Sequence, residues 1–152
     1  MGKRTKALLI MLCCTFILLP QIGFAAEKVA QANSKEPMDN LVVILSTNDI
    51  AYADAAINIA KVAFERGHKV TMLLRVKALS LALKDANDRI GDTTFQEKLA
   101  SFMKQGARVM VGGQCMKQQG IPKNNLIPGV EVGTAETVMD SIFEKNTRII
   151  CQ

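Results

Sequence analysis

The chain contains few of the residue types that most often act in catalysis or form disulfide crosslinks. Its 152 residues include no tryptophan, one tyrosine, one histidine and four cysteines. Four cysteines are too sparse for a disulfide scaffold, and the single histidine, His68, provides no Cys/His spacing that suits zinc. A disulfide-stapled fold and a zinc module are therefore excluded.

Residues 1–25 have the pattern of a secretory signal peptide. The segment opens with three basic residues, Lys3, Arg4 and Lys6. An uncharged run over residues 7–19 follows, and small residues precede a cleavage point after Ala25. A retained membrane anchor is the alternative, but the run is shorter than the ~20 residues of a spanning helix, and Pro20 follows it. We expect cleavage, export to the bacterial periplasm and no membrane contact afterwards.

Cleavage after Ala25 changes the charge and the cysteine count of the mature chain. The 19 basic residues fall to 16 against 14 acidic ones, so the net charge falls from +5 to +2. This balance indicates no nucleic-acid partner. Cys13 and Cys14 are removed with the signal, and neither follows the small residue that a lipoprotein signal needs. Cys115 and Cys151 remain.

The rest of the chain alternates between strand and helix patterns. Residues 26–38 are polar and aperiodic and predict a flexible linker, whereas residues 39–152 suit one small domain. Apolar β-branched runs predict strands at residues 40–46, 68–74, 108–111 and 147–151, with a short extended piece at 130–132. Apolar periodicity predicts helices at residues 50–66, 95–105 and 134–144, a helix or helical turn at 76–86, and a loop at 87–93. Thr94 and Glu97 fit a capping box.

The alternation of strands and helices implies an α/β fold. We expect a single domain with one open, mostly parallel sheet of four to five strands and helices on both faces, in flavodoxin-like layers.

Several catalytic motifs are missing from this framework. A dinucleotide fingerprint needs Gly-x-Gly-x-x-Gly, which Gly112-Gly113 does not complete, and the chain has no Gly-Lys-Ser/Thr phosphate loop. It also has no Gly-x-Ser-x-Gly nucleophile elbow. Carboxylate pairs such as Asp49/Asp54 lie in helix-start or polar settings, which capping or solvation explains. His68 opens the second predicted strand, at the end opposite to the one where ligands gather, so we interpret it as structural or exposed.

Cys115 is the candidate reactive residue. It follows the predicted strand at residues 108–111, at the carboxyl end where open α/β sheets place their sites. If Cys115 starts a helical turn over residues 116–119, unpaired backbone N–H groups point at its sulfur and favour the nucleophilic thiolate. Lys117 and Lys123 can add positive charge nearby. The alternative is that Cys115 is a small buried hydrophobe, as free cysteines often are. The residues expected to support the site are Gly112, Gly113, Gln114, Lys117 and Asn48.

Three stretches of the chain match the motif order of a known family. Residues 64–70 are similar to a Gly-His-x-Val motif that precedes an apolar strand. Residues 104–121 are similar to a second motif of the family. It consists of a Gly-Val or Gly-Ala pair, a strand, and a cysteine that is followed four to six residues later by Gly-Ile or Gly-Leu. Residues 126–133, with the helix and strand after them, are similar to the family's C-terminal end. Together these stretches span residues 40–152, and on them the chain resembles the DsrE/DsrF-like sulfur-relay superfamily, which includes the TusD-type subunits.

The resemblance implies both an assembly and a chemistry. It implies a compact α/β subunit that forms homo-oligomers, as trimers or hexamers. It also implies that Cys115 carries a persulfide: a donor protein's persulfide passes its outer sulfur to the Cys115 thiolate, and an acceptor thiol takes it on. It implies no metal and no organic cofactor.

Alternatives to a sulfur or thiol-redox carrier stay open. One is a non-enzymatic oligomeric or binding module in which Cys115 is only packed. Another is a small-molecule site at the carboxyl edge of the sheet, lined by Thr47, Asn48 and Gly113. Cys151 is a candidate redox partner of Cys115 if the last strand lies beside the third, because a disulfide needs Cα atoms within roughly 7 Å. The interpretation we favour is that Cys151 is a free terminal residue, too far away.

Overall fold

The computed structural model describes residues 38–152. The predicted signal peptide at residues 1–25 and residues 26–37 of the predicted linker lie outside the described residues. The elements follow the chain in the order β1 (Asn40–Leu45), α1 (Ile50–Glu65), β2 (Val70–Leu74), a 3-10 helix (Val76–Ala82), β3 (Arg89–Ile90), β4 (Thr93–Thr94), α2 (Phe95–Lys104), β5 (Arg108–Gly112), α3 (Gly113–Gln119), a second 3-10 helix (Lys123–Asn125), β6 (Glu131–Gly133), α4 (Ala135–Phe143) and β7 (Thr147–Cys151).

Five of these strands form one parallel sheet in the order β6-β5-β2-β1-β7. Every residue of β2 is buried, as expected for a central strand covered on both faces. The register pairs Leu74 of β2 with Val111 of β5, so the carboxyl ends of these two strands lie side by side. The predicted α/β class, with a single open parallel sheet, is confirmed.

Helices cover both faces of the sheet. The crossovers through α1 and α2 run towards β6, whereas α4 runs back to β7, so right-handed connections place α4 on the opposite face. The larger core lies under α1 and α2, where Val43 of β1 packs in one cluster with Ile57 and Phe95. On the other face, Arg108 of β5 donates a hydrogen bond to Ser141 of α4 at 3.2 Å.

Local sequence signals explain where the helices begin and end. The Asp49 carboxylate accepts hydrogen bonds from the backbone N–H groups of Ala51 and Tyr52 at the start of α1. The same helix stops before Gly67, whose φ of 90° suits glycine. The predicted capping box of α2 is confirmed, because Thr94 and Glu97 each bond to the other's backbone N–H.

Four local predictions differ from the structure. The region predicted as a helix or helical turn at residues 76–86 is a 3-10 helix that ends at Ala82, and the predicted loop at 87–93 contributes to the short antiparallel hairpin of β3 and β4. Strand β2 starts at Val70 rather than at His68. The helix at Cys115 starts two residues earlier than expected, at Gly113. The 3-10 helix is held by contacts with Ser46 and Gln119, which are distant in the chain and which local propensity does not encode. Within residues 38–152, no helix has both the length and the apolar character needed to cross a membrane.

Candidate functional site

Cys115 lies directly beyond the carboxyl end of a buried strand. β5 is buried through Val109, Met110 and Val111, and α3 follows it without a loop. Cys115 is therefore the third residue of α3 and not the residue before a turn, which corrects the expectation from sequence. Its side chain is half-buried against the core, and within residues 38–152 it forms no disulfide.

The first glycine of the pair leaves room for the sulfur. A Cβ placed on Gly112 would lie 3.3 Å from Cys115 Sγ, which is closer than most real contacts of a Cβ atom. Gly112 has an ordinary extended backbone, with φ of −66°. Gly112 therefore matters to the site because it has no side chain, and not because its backbone adopts an unusual conformation.

The second glycine allows α3 to approach the neighbouring strand. A Cβ on Gly113 would lie 2.8 Å from the backbone oxygen of Gly133 and 3.2 Å from Cγ1 of Val132, both in β6. A side chain at this position would collide with backbone, which cannot move aside as a flexible side chain can. Gly113 thus determines where α3, and with it Cys115, sits on the sheet.

The side chain of a basic residue that sequence reasoning missed begins at the glycine that the cysteine sulfur approaches. Arg75 follows the last residue of β2, and its Cγ lies 3.8 Å from the same Gly112 Cβ position that the Cys115 sulfur approaches. The available signal was a charged residue directly after an entirely apolar strand. This signal cannot be connected with Cys115 from the sequence, because the connection depends on the pairing of β2 with β5.

The backbone beside Arg75 is strained. Val76 has φ of 49°, a left-handed conformation that is rare for a β-branched residue. Its carbonyl accepts a hydrogen bond from Nε2 of Gln119 at 2.9 Å, which ties the 3-10 helix to the end of α3. The N–H groups on either side bond to β1 and its end: Arg75 to the Leu45 carbonyl at 2.8 Å and Lys77 to the Ser46 carbonyl at 3.2 Å. Such strain persists only where surrounding contacts hold it, and it is common near functional sites.

The predicted lysines do not lie against the sulfur. Lys117 is two positions after Cys115 on α3, and residues with that spacing point to different sides of a helix. Lys117 and Lys123 line a cavity of about 460 Å³ together with Gln114 and Gly113, and Cys115 is not part of its lining. The cavity lies between α3 and the start of α4, so the two lysines offer their charge to that space.

The remaining predicted site residues lie at other strands. Asn48 follows β1, which is two strand spacings, about 10 Å, from β5, and its Nδ2 lies 3.4 Å from Ser80 Oγ. Thr47 also follows β1, so the structure does not bring Thr47 and Asn48 together with Gly113. His68 lies at the amino end of β2, where its Nδ1 is 3.0 Å from the Asp39 carbonyl oxygen. This contact agrees with the structural interpretation of His68.

Cys151 is not a partner for Cys115 within one chain. β7 pairs with β1 at the edge of the sheet and does not lie beside β5. Three strand spacings, about 14 Å, separate the two strands, whereas a disulfide needs Cα atoms within roughly 7 Å. The structure therefore rules out the candidate redox pair within one chain and agrees with the favoured interpretation of Cys151: both cysteines are free, and Cys151 is exposed. Among residues 38–152, no cluster of three or more His, Cys, Asp or Glu side chains is placed to hold a metal ion.

These features define a single-domain α/β protein with one half-buried cysteine at the carboxyl end of a central parallel strand. A model of the DsrE/DsrF-like family matches residues 39–150. The chain belongs to the DsrE/DsrF-like family.

Comparisons with individual proteins agree with this placement. An uncharacterised protein of Methanocaldococcus jannaschii is 27% identical over 127 residues, which cover 80% of this chain and 46% of that protein. The chain thus spans about half the length of this curated relative. The ychN protein from E. coli superposes with a TM-score of 0.66 at 18% identity, covering 76% of this chain and 100% of that one. A protein of unknown function from Methanobacterium thermoautotrophicum gives 0.63 at 12% identity, covering 75% and 99%. At these identities the structural likeness shows the fold alone.

Proposed function

We propose that the protein is a sulfur carrier or thiol-redox protein that acts through a persulfide on Cys115. The observation that carries the proposal is the placement of Cys115 in a member of the DsrE/DsrF-like family. Its sulfur lies beside the side-chain-free Gly112, at the sheet edge where parallel α/β folds place their sites. The resemblance to the TusD-type relay subunits supports the same chemistry.

The proposed transfer is an exchange between a thiolate and a persulfide. The Cys115 thiolate attacks the outer sulfur of a donor R–S–SH, the donor's S–S bond breaks, and the donor leaves as the thiolate R–S⁻ with the bonding electron pair. Cys115 then carries S–SH. An acceptor thiolate attacks the outer sulfur in turn and restores the Cys115 thiolate, so no external oxidant or reductant is needed.

Peptide mass spectrometry after exposure to polysulfide tests this proposal. The full chain and its Cys115→Ser and Cys151→Ser variants are treated, trapped with iodoacetamide and digested. We expect one added sulfur on the peptide that contains Cys115, in the wild type and in Cys151→Ser. The proposal would be overturned if the Cys115 peptide stays unmodified while the exposed Cys151 reacts with polysulfide.

We also propose that the carrier is exported and that it assembles with copies of itself. Export rests on the pattern of residues 1–25, and the N-terminal mass of the secreted protein tests cleavage after Ala25. Assembly as a trimer or hexamer is supported by apolar side chains exposed on the α4 face, which are Met139, Phe143 and Ile149. Charges of both signs border this face, since Lys69 pairs with Glu144 and Asp140 lies nearby. A second copy of the chain can pack against this surface without an excess of repulsion between like charges, because both signs are present.

The alternative function is a non-enzymatic oligomeric or small-molecule-binding module in which Cys115 is only packed. The cavity of about 460 Å³ between α3 and α4 favours this second candidate, because Gly113, Val132 and Lys117 offer it both apolar and cationic walls. Under this alternative, Cys115 in the folded protein resists alkylation. The polysulfide experiment separates the two proposals.

A further inference from the structure

A basic side chain approaches the glycine beside Cys115 from the end of the neighbouring strand, β2, rather than from the cysteine's own helix. Leu74 of β2 pairs with Val111 of β5, so the next residue, Arg75, lies opposite Gly112. The Cys115 sulfur and the Arg75 Cγ lie 3.3 and 3.8 Å from the one point that a Gly112 Cβ would occupy. The sulfur and the base of the exposed Arg75 side chain therefore both approach the same glycine.

Arg75 is held in place by its backbone, while its charge is not neutralised by a carboxylate of the described chain. Its N–H donates to the Leu45 carbonyl at 2.8 Å, and the next residue, Val76, is tied to Gln119 of α3 at 2.9 Å. Of the five arginines in residues 38–152, Arg108 pairs with Glu131 and Arg148 pairs with Asp39, whereas Arg75, like Arg66 and Arg89, forms no ion pair. Among residues 38–152, no acidic group forms an ion pair with Arg75.

We propose that Arg75 determines which sulfur donors react at Cys115, by selecting small anionic sulfane-sulfur compounds such as inorganic polysulfide. This inference rests on the proposed role of Cys115 as the persulfide carrier. Attack of a thiolate on an anionic donor brings two negative charges together. A guanidinium whose side chain begins at this glycine offsets their repulsion when it reaches towards the sulfur, and it then favours an anionic donor over a neutral one. At a partly exposed site, this preference amounts to a factor of about three to ten in rate.

Two alkylating reagents of similar size, one anionic and one neutral, measure the effect directly. Iodoacetate is an anion and iodoacetamide is neutral, so the ratio of their rates at Cys115 reports the local charge. A change in the thiolate fraction alters both rates equally and cancels in the ratio. The full-chain protein is used, and the rates are followed on the Cys115 peptide by mass spectrometry.

Arg75→Gln should lower the iodoacetate-to-iodoacetamide ratio about three- to tenfold, and Arg75→Lys should restore most of it. The ratio in the wild type should also fall towards that of Arg75→Gln as salt is added. Lys117→Gln is the matched control, because it removes an exposed cation from the same helix as Cys115 and should leave the ratio unchanged. An unchanged ratio in Arg75→Gln, or an equal fall in Lys117→Gln, would overturn the inference.

The outcome is distinguishable from failure of the proposed function. If the Cys115 peptide gains sulfur from polysulfide but the iodoacetate-to-iodoacetamide ratio is the same in Arg75→Gln as in the wild type, Cys115 is a sulfur carrier and Arg75 does not select its donors. If the ratio depends on Arg75 but no sulfur is gained, the persulfide proposal fails and donor selection fails with it. Polysulfide loading of Arg75→Gln at a reduced rate, with an iodoacetamide rate close to that of the wild type, supports both.

Discussion

Gly112 and Gly113 are adjacent in sequence, but the structure requires glycine at each for a different reason. A side chain at Gly112 would press on the Cys115 sulfur, whereas one at Gly113 would meet the backbone oxygen of Gly133 at 2.8 Å. The first contact concerns a side chain that can rotate, and the second concerns a backbone that cannot. Substitutions at the two positions should therefore affect different properties.

Gly112→Ala should slow persulfide formation on Cys115 while changing the free energy of unfolding by less than about 1 kcal/mol. Gly113→Ala should lower the free energy of unfolding by about 1–3 kcal/mol, because α3 must shift away from β6. Urea denaturation and the rate of sulfur loading on the Cys115 peptide measure the two effects. Equal losses of stability in the two variants would contradict the distinct roles.

Sequence patterns located Cys115 but not the basic residue whose side chain begins near it. The apolar strand, the glycine pair and the cysteine are contiguous, so the carboxyl end of β5 could be predicted from local residues. Arg75 is 40 positions away in the chain and reaches Cys115 only through the pairing of β2 with β5. Strand order is a property of the whole sheet, which one-dimensional periodicity does not contain.

Among the helices, α2 begins with the clearest local signal. Thr94 and Glu97 form a reciprocal capping box, with the Thr94 hydroxyl accepting from the Glu97 N–H at 3.2 Å. The Thr94 N–H donates to the Glu97 carboxylate at 2.8 Å. Hydrogen bonds from the backbone and the hydroxyl of Thr94 hold the pKa of Glu97 below its ordinary value. Helix start and carboxylate ionisation are thus linked.

Thr94→Ala should lower the free energy of unfolding by about 1 kcal/mol at neutral pH. Because the pKa of Glu97 is lower in the folded state, its contribution is fully present above its unfolded pKa and is lost as pH falls through its folded pKa. Glu97→Gln should therefore be less stable than the wild type at neutral pH and approach it in acid. Denaturant titrations over that pH range check this, and a stability difference that grows in acid would contradict the pKa direction.

Elements with caps and long apolar stripes were predictable, and short elements that depend on contacts were not. The start of α1 follows Asp49 and its end precedes Gly67, both readable from sequence. The 3-10 helix at Val76–Ala82 departs from an α-helix under constraints from Ser46 and Gln119, which are distant in the chain. The hairpin of β3 and β4 has only two residues in each strand, too few for alternation to be visible.

Within residues 38–152, one face of the sheet is incompletely covered. α4, at nine residues, is the helix on its side of the described sheet, and β7 is an open edge. Phe143 is 79% exposed at the end of α4. Apolar exposure beside an unpaired strand edge is typical of surfaces that meet another chain. The proposed self-assembly therefore places its interface here.

Phe143→Ser should shift the protein from oligomer to monomer with little loss of monomer stability, because the side chain is mostly in solvent. Light scattering coupled to size-exclusion chromatography gives the mass. Tyr52→Ser is the control: it removes another exposed aromatic, on α1, and should leave the assembly intact. A monomeric wild type, or equal dissociation of the two variants, would rule out this interface.

The placement of β7 shows how much of the topology the sequence left open. The last strand could be predicted from Thr147–Cys151, but its neighbour could not, because both edges of the sheet were available. Its pairing with β1 sets Cys151 apart from Cys115, so that within residues 38–152 no second thiol lies near Cys115. Among the described residues, a persulfide on Cys115 then has no nearby cysteine that could convert it into a disulfide, which suits a carrier that waits for an acceptor.

The most direct test of the central claim is where added sulfur is found after polysulfide treatment and whether a thiol removes it. The account predicts one trapped sulfur on the Cys115 peptide, absent in Cys115→Ser, retained in Cys151→Ser and discharged by an added low-molecular-weight thiol. Sulfur found only on Cys151, or a Cys115 that stays unmodified and unreactive to iodoacetamide in the folded protein, would contradict it.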